Sequence, residues 1–206
     1  MDYKNTRLAF LQEDCISEFG QETGTKIFNR SCELLTSMFA DADYQNNESI
    51  KEHMATNMFP TIAYYLTLQE HGYSKEDAYN LTLQKTQKAA NIRKNKNAAF
   101  GKLPFAYTIF KIFVKGIMKK SYPVEGWETE WVRFDNKEVH LNFKRCIYKN
   151  ITAQHGCPEL CTVFCQNDTT AFAGYEPKIH FERSGTLAEG AACCDFHFIR
   201  GFTGRN

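Results

Sequence analysis

The chain has 206 residues, of which 43% are hydrophobic and 14% aromatic, so it can bury a core of ordinary size without a stabilising cross-link. Its formal net charge of +1 gives no chain-wide attraction to nucleic acid or to an anionic membrane, which favours a small molecule as the partner. The sequence lacks a secretory signal pattern and any long apolar run, so we expect a cytoplasmic protein whose eight cysteines are thiols rather than disulfides.

Residues 5–120 carry helical periodicity almost throughout, which predicts four or five helices. Turn signals interrupt the pattern at residues 41–47, 71–72 and 101–104. Ser74 followed by Asp77 is typical of a helix start, because a serine oxygen can accept the backbone N–H three residues further on. We therefore predict a helix that begins after Ser74 and runs toward Lys94.

The segment at residues 105–120, FAYTIFKIFVKGIMKK, is amphipathic and ends in lysines that suit a helix C-terminus. A basic amphipathic helix can also lie on a membrane surface. Because the segment is short and internal, packing against the core is the interpretation that we favour. The sequence thus predicts no membrane partner.

After Pro123 the periodicity changes from helical to alternating, which is typical of strands. Two antiparallel strands joined at Asp135 and Asn136 are predicted, with the alternation continuing as far as Ile147. A helix from Pro158 to about Ala173 is predicted next.

Two further strands are predicted at residues 179–183 and 194–199. Helices therefore come first, and a β-β-α-β-β order follows. This order predicts the α+β class, with N-terminal helices (residues 1–122) packed against a C-terminal four-stranded antiparallel sheet with one inserted helix (residues 123–200). Length favours a single domain over residues 1–206.

The helix after Pro158 carries the first candidate site. In helical projection Cys161, Cys165 and Asp168 fall with Cys157 within an arc of about 80°. A carboxylate on this apolar face is costly unless it is paired. Either the cysteines are small buried hydrophobes and Asp168 is paired, or Cys165 and Asp168 act together as thiol and carboxylate on a bound substrate.

Two further hypotheses concern the cysteines. Cys157 precedes Pro158 at the helix start, where the helix dipole lowers the pKa of a thiol. A bound metal is the other hypothesis, with ligands drawn from Cys157, Cys161, Cys165, Cys193 and Cys194. The spacing does not match the usual zinc pattern, so we predict no metal and no cofactor and keep the cysteine-bound metal as an alternative.

A second candidate site lies in EHMATNMFPTIAYYL, where His53, Asn57, Pro60 and Tyr64 share one face of an otherwise apolar helix. Pro60 removes one helical hydrogen bond and frees the carbonyl of Thr56 as an acceptor. Two interpretations stay open. The helix holds a satisfied core histidine beside a proline bend, or His53 is a general acid or base with Asn57 as an orienting amide.

The runs HGCPELCTVFCQND and FERSGTLAEGAACCDFHF resemble the L-2-amino-thiazoline-4-carboxylic acid hydrolase family, and HMATNMFPTIAYYLTLQEHG is similar to its buried helix. The matching residues are His53, Asn57, Pro60, Cys165, Asp168, Arg183, Thr186, Gly190, Cys194, Asp195 and Phe196. The resemblance implies hydrolysis of a non-peptide C–N bond in a cyclic amidine, with opening of a thiazoline ring to a carbamoyl-cysteine.

With this substrate class, Cys165, Asp168 and His53 are the candidate catalytic residues. Cys165, or a water activated by Asp168, would attack the amidine carbon while His53 or a protonated carboxylic acid protonates the ring nitrogen. Arg183 would bind the substrate carboxylate by two hydrogen bonds, unless it is an ordinary ion pair with Asp168. The candidate substrate-binding residues are Asn57, Arg183, Thr186, Gly190, Cys194 and Asp195.

A second likeness is to the vinyl reductase-like small-molecule-binding domains, which also place a glycine a few residues before a Cys-x-Phe strand, as Gly190 and CDFHF do here. It supplies the alternative function, a non-catalytic ligand-binding or sensor domain with or without a cysteine-bound metal. The oligomeric state is left open, with a homo-oligomer among the options.

Overall fold

The structure is a computed structural model that describes residues 2–201. The helices of its first part are α1 (Leu11–Phe19), α2 (Gln21–Ala40), α3 (Glu48–His53), α4 (Phe59–Glu70), α5 (Lys75–Gly101) and α6 (Ala106–Ser121). A π-helical segment, Met54–Met58, joins α3 to α4. None of the described helices is long and apolar enough to cross a lipid bilayer.

A β-rich part follows these helices. Its elements are β1 (Trp127–Phe134), β2 (Glu138–Cys146), α7 (Ile147–Gln154), α8 (Cys161–Phe172), β3 (Ile179–Glu182) and β4 (Cys194–Arg200). The strands form one antiparallel sheet in the order β1-β2-β4-β3. The predicted α+β class, with helices first and a four-stranded antiparallel sheet after them, is confirmed.

The predicted helix start at Ser74 and the predicted turn at Asp135 are both present. Ser74 Oγ accepts the backbone N–H of Asp77 at 3.0 Å and donates to its carboxylate at 2.6 Å, at the start of α5. In the β1–β2 turn, the Asp135 carboxylate accepts the backbone N–H groups of Lys137 at 2.7 Å and Glu138 at 2.9 Å. Both are short-range interactions in which a polar side chain satisfies backbone donors where an element begins.

The prediction that the strand alternation continues to Ile147 is wrong, because Ile147 begins α7. The partner strand β1 starts at Trp127, opposite Cys146, so the ladder has no further partner there. Ile147 and Ile151 are four residues apart and both buried, which suits one face of a helix. The segment between β2 and β3 thus contains α7 as well as the predicted helix, α8.

The chain divides into two compact units. The first contains the residues up to Ala89 and the segment Ile151–Val163, and the second contains Ala90–Asn150 and the residues from Phe164 onward. Each of the helices α5, α7 and α8 contains a boundary between the units. The assignment of the whole chain to one domain stays a prediction.

In the second unit, α6 packs along the β1–β2 hairpin. Tyr107 donates a hydrogen bond to the Asp135 carbonyl oxygen at 3.0 Å, and the Lys111 ammonium donates to the Asn136 side chain at 2.5 Å. Aromatic rings form the adjoining core, and these are Phe110, Phe172, Phe181, Phe196 and Phe198. This core lies beside α8 and the strands that carry the candidate residues.

In the first unit, α1 and α2 approach closely at Gly24. A Cβ atom at this position would lie 2.3 Å from the backbone carbonyl oxygen of Cys15, which is too close for a real contact. The absence of a side chain is therefore what allows this helix pair to pack.

We expect Gly24→Ala to lower the free energy of unfolding by about 3 kcal/mol, because the methyl group meets backbone that cannot rotate away. Gly116→Ala is the matched control, since Gly116 is also helical but nothing lies within 4 Å of its Cβ position. The control should be neutral or stabilising by up to about 1 kcal/mol. Urea unfolding of both variants measures the difference, and equal effects would contradict the packing argument.

Candidate active site

The helix α8 presents Cys165 and Asp168 on one side. Both side chains are half-buried, whereas Gln166 and Thr169 are exposed. Cys165 and Asp168 both belong to the second unit.

Arg183 follows β3 and reaches the same side of α8. One guanidinium nitrogen, Nη2, donates to the backbone carbonyl oxygen of Cys165 at 2.7 Å and to Thr169 Oγ1 at 3.3 Å. The guanidinium carbon lies 5.4 Å from the ring centroid of Phe196 and 5.8 Å from that of Phe181. The Arg183 guanidinium is thus held by hydrogen bonds to α8 and by contacts with two aromatic rings.

The second terminal nitrogen of Arg183, Nη1, is buried and has no hydrogen-bond partner among the described residues. It lies 3.9 Å from the carboxylate of Asp168, which is within ion-pair range but too long for a hydrogen bond. The Arg183 side chain is only 9% exposed. A buried cationic donor without an acceptor is costly.

Cys194 on β4 meets the thiol of Cys165. Its pKa is raised, first by the hydrogen bond with Cys165 and then by burial, although the backbone N–H of Leu187 also donates to its sulfur at 3.2 Å. Burial likewise raises the pKa of nearby Cys146 to about 11. The contact with Cys165 and burial thus favour the protonated thiol of Cys194, and burial favours that of Cys146.

The segment between β3 and β4 covers this cluster. Thr186 is buried, and its hydroxyl accepts the backbone N–H of Glu189 at 3.2 Å and donates to the Glu189 carboxylate at 2.7 Å. Gly190 has a φ angle of +88°, a left-handed conformation that favours glycine. Residues 186–190 therefore form a tight turn, and no neighbouring atom lies within 4 Å of the Cβ position of Gly190.

Asp195 points to the opposite side of β4 from Cys194, as successive strand residues must. Its carboxylate accepts the backbone N–H groups of Ser184 at 3.0 Å and Gly185 at 2.9 Å and the Ser184 hydroxyl at 2.7 Å. Burial alone would raise its pKa, but these hydrogen bonds prevail and lower the pKa to about 2. In this arrangement Asp195 anchors the loop, and its part in substrate binding stays a prediction.

The hypothesis that Cys157 is a reactive thiol at a helix start is wrong. Cys157 is fully buried and precedes a 3₁₀ turn, Pro158–Leu160, that leads directly into α8. Burial raises its pKa to about 12, with a smaller contribution from Glu159. Loss of solvation therefore outweighs the stabilisation of a thiolate that the N-terminal end of the helix offers.

His53 and Asn57 belong to the first unit, where they flank and form the π-helical segment. The Thr56 carbonyl, predicted to be a free acceptor because of Pro60, accepts the backbone N–H of Arg7 at 2.8 Å. That acceptor is therefore already used. Asn57 is buried and His53 is half-buried, and their catalytic and binding roles stay predictions.

One group of side chains in residues 2–201 has three ligand atoms close enough to share an ion, and it consists of Glu138, His140 and His197. The two imidazole rings are stacked, with centroids 3.6 Å apart and planes 26° from parallel. Nitrogens on nearly parallel rings do not converge on one ion, and His197 Nδ1 already bonds the Glu138 carboxylate at 2.6 Å. This group fits a hydrogen-bonded network better than a metal centre, and it contains no cysteine.

Strand alternation predicts that Phe181 and Arg183 share one face, since they are two residues apart. Sequence reasoning missed the second aromatic ring beside Arg183, that of Phe196, and the link between the two thiols. The contact of Cys165 with Cys194 joins residues that are far apart in the chain. No local pattern encodes such a contact.

Fold and site together define an α+β protein in which a thiol, a carboxylate and a buried guanidinium are gathered beside one helix. The family model for L-2-amino-thiazoline-4-carboxylic acid hydrolase matches residues 51–198, a range that includes every candidate site residue. No curated protein and no solved structure matches the chain. The chain belongs to the L-2-amino-thiazoline-4-carboxylic acid hydrolase family, which makes it a hydrolase in general class.

We expect Asp195→Asn to lower the free energy of unfolding at pH 7 by about 2 kcal/mol, because the loop loses its charged acceptor. The folded pKa of Asp195 lies below the unfolded value, so its stabilisation is present above about pH 4 and is lost as the pH falls toward 2. The difference in free energy of unfolding between variant and wild type should therefore disappear as the pH falls. Urea unfolding at several pH values measures it, with exposed Asp41→Asn as the control that shows no such difference.

Proposed function

We propose that the protein hydrolyses a small cyclic amidine that carries a carboxylate, such as 2-aminothiazoline-4-carboxylate, at the cluster of Cys165, Cys194, Asp168 and Arg183. The observation that carries the proposal is the buried Nη1 atom of Arg183, which has no hydrogen-bond partner among the described residues. A substrate carboxylate would supply the missing acceptor. Family membership supports the same substrate class.

The geometry supports a mechanism in which Cys165 is the nucleophile. Its sulfur adds to the amidine carbon, and the ring nitrogen takes a proton and leaves as the ring C–N bond breaks. Water then attacks the same carbon and releases the Cys165 thiolate, so one water is consumed and a carbamoyl-cysteine is formed. The protonated thiol of Cys194 lies where it can donate to the Cys165 sulfur and stabilise it as the leaving thiolate.

Asp168 is the proposed proton carrier. A substrate carboxylate at Arg183 would place a second anion beside Asp168, which favours the protonated carboxylic acid as a donor to the ring nitrogen. In the alternative route Asp168 stays ionised and activates a water that attacks directly. His53 remains the other proposed acid, with Asn57 as its orienting amide.

Incubation of the purified protein with 2-aminothiazoline-4-carboxylate, followed by mass spectrometry of the product, tests the reaction. Loss of the nucleophile in Cys165→Ala or of the proton carrier in Asp168→Asn should lower kcat by at least about 10²-fold, with folding intact. Cys193→Ala is the matched control, a half-buried thiol adjacent to Cys194, and should keep full activity. Tight binding without turnover in the wild type would instead favour the ligand-sensing alternative.

A separate prediction concerns the carboxylate-binding role of Arg183. Arg183→Lys keeps the charge but loses the planar pair of donors, so KM should rise about 10- to 100-fold with a smaller change in kcat. The ring compound 2-aminothiazoline, which has no carboxylate, should show no such penalty. An equal loss with both compounds would contradict carboxylate binding, and exposed Arg200→Lys should behave as wild type.

A further inference from the structure

The helix α6 has two apolar faces, and only one of them is covered. Tyr107 and Val114 are buried against the hairpin side. Ile112, Phe113 and Ile117 lie on another side of the helix and are 64%, 59% and 57% exposed. Phe113 and Ile117 are neighbours on the helix surface, four residues apart, and Ile112 lies about 100° around the helix from Phe113. Core packing, as expected from the sequence, accounts for the first face and not for the second.

Phe105 adds an independent observation at the start of this helix. It has a φ angle of +61°, a left-handed conformation that is strained for a bulky residue, and its side chain is 70% exposed. Burial of the ring does not offset this strain, because the ring faces solvent. We call Phe105 together with Ile112, Phe113 and Ile117 the outer face of α6.

The segment that contains the outer face carries charge of one sign. Residues 102–124 contain five lysines, at 102, 111, 115, 119 and 120, and no aspartate or glutamate. The whole chain has a net charge of only +1, so positive charge is concentrated here. Lys102, Lys119 and Lys120 are exposed. An anionic surface is the partner that this charge complements.

We propose that the outer face of α6 docks the protein on an anionic lipid bilayer, with the helix in the plane of the interface. The aromatic and aliphatic side chains would enter the boundary between headgroups and acyl chains while the lysines reach the phosphates. The helix is too short and too charged to span the bilayer, which agrees with the absence of a spanning helix among the described residues. The docking is independent of the hydrolysis proposed above.

Self-association through the same face is the competing explanation for exposed apolar side chains. If two copies met outer face to outer face, the lysines at 115, 119 and 120 would approach lysines of the other copy with no acid in this segment to pair them. Such like-charge contacts are unfavourable, whereas a bilayer that contains anionic lipid neutralises them. The charge pattern therefore favours lipid over a second copy.

Sedimentation of the full chain with vesicles tests the proposal. Vesicles of phosphatidylcholine with phosphatidylglycerol should bind the protein, and vesicles of phosphatidylcholine alone should bind it far less. The triple variant Ile112→Ser, Phe113→Ser, Ile117→Ser should lose at least tenfold in partitioning, and its exposed positions leave folding unaffected. The matched control is Val132→Ser, an exposed apolar side chain on β1 outside the outer face.

The charge contribution is measured with the double variant Lys119→Gln, Lys120→Gln, which should weaken binding to the anionic vesicles on the order of 30-fold. The double variant Lys119→Arg, Lys120→Arg, which keeps both charges, should bind the anionic vesicles as the wild type does. Added salt should weaken binding of the wild type to these vesicles. Equal binding to neutral vesicles, or no sedimentation with either kind, would overturn the proposal. A dimer in vesicle-free solution that the triple variant abolishes would overturn it in favour of self-association.

Discussion

A buried arginine is the constraint on which the candidate site depends. Arg183 gives one side of its guanidinium to the Cys165 carbonyl and to Thr169, and this ties the end of β3 to α8. The same contact fixes where the Cys165 side chain can lie. The second terminal nitrogen, Nη1, faces the Asp168 carboxylate without a hydrogen bond, so one buried donor of the guanidinium stays without an acceptor among the described residues.

The loop beside this cluster is held by two consecutive residues of β4 that point in opposite directions. Cys194 accepts the backbone N–H of Leu187 on the side of Cys165, and Asp195 accepts the backbone of Ser184 on the other side. Loop position and thiol chemistry are therefore coupled through one strand. This explains in physical terms why a Cys-Asp pair follows a glycine turn in this segment.

Features that depend on residues close together in the sequence were predicted correctly. Features that depend on contacts between residues far apart in the chain were not. The cap at Ser74 and the turn at Asp135 follow from local hydrogen bonds, and both are present. By contrast, elements far away in the chain determine whether Cys157 is solvated. They also determine whether the second apolar face of α6 is covered. Periodicity identifies an apolar face but not what covers it.

The proposed hydrolysis depends on substrate that binds and reacts beside Cys165. Alkylation of the thiols with iodoacetamide, mapped peptide by peptide with and without saturating 2-aminothiazoline-4-carboxylate, measures whether the substrate occupies this position. The substrate should slow labelling of Cys165 strongly and leave labelling of half-buried Cys32, which belongs to the first unit, unchanged. Ring opening that proceeds while Cys165 is labelled at the same rate with and without substrate would show that the substrate reacts elsewhere.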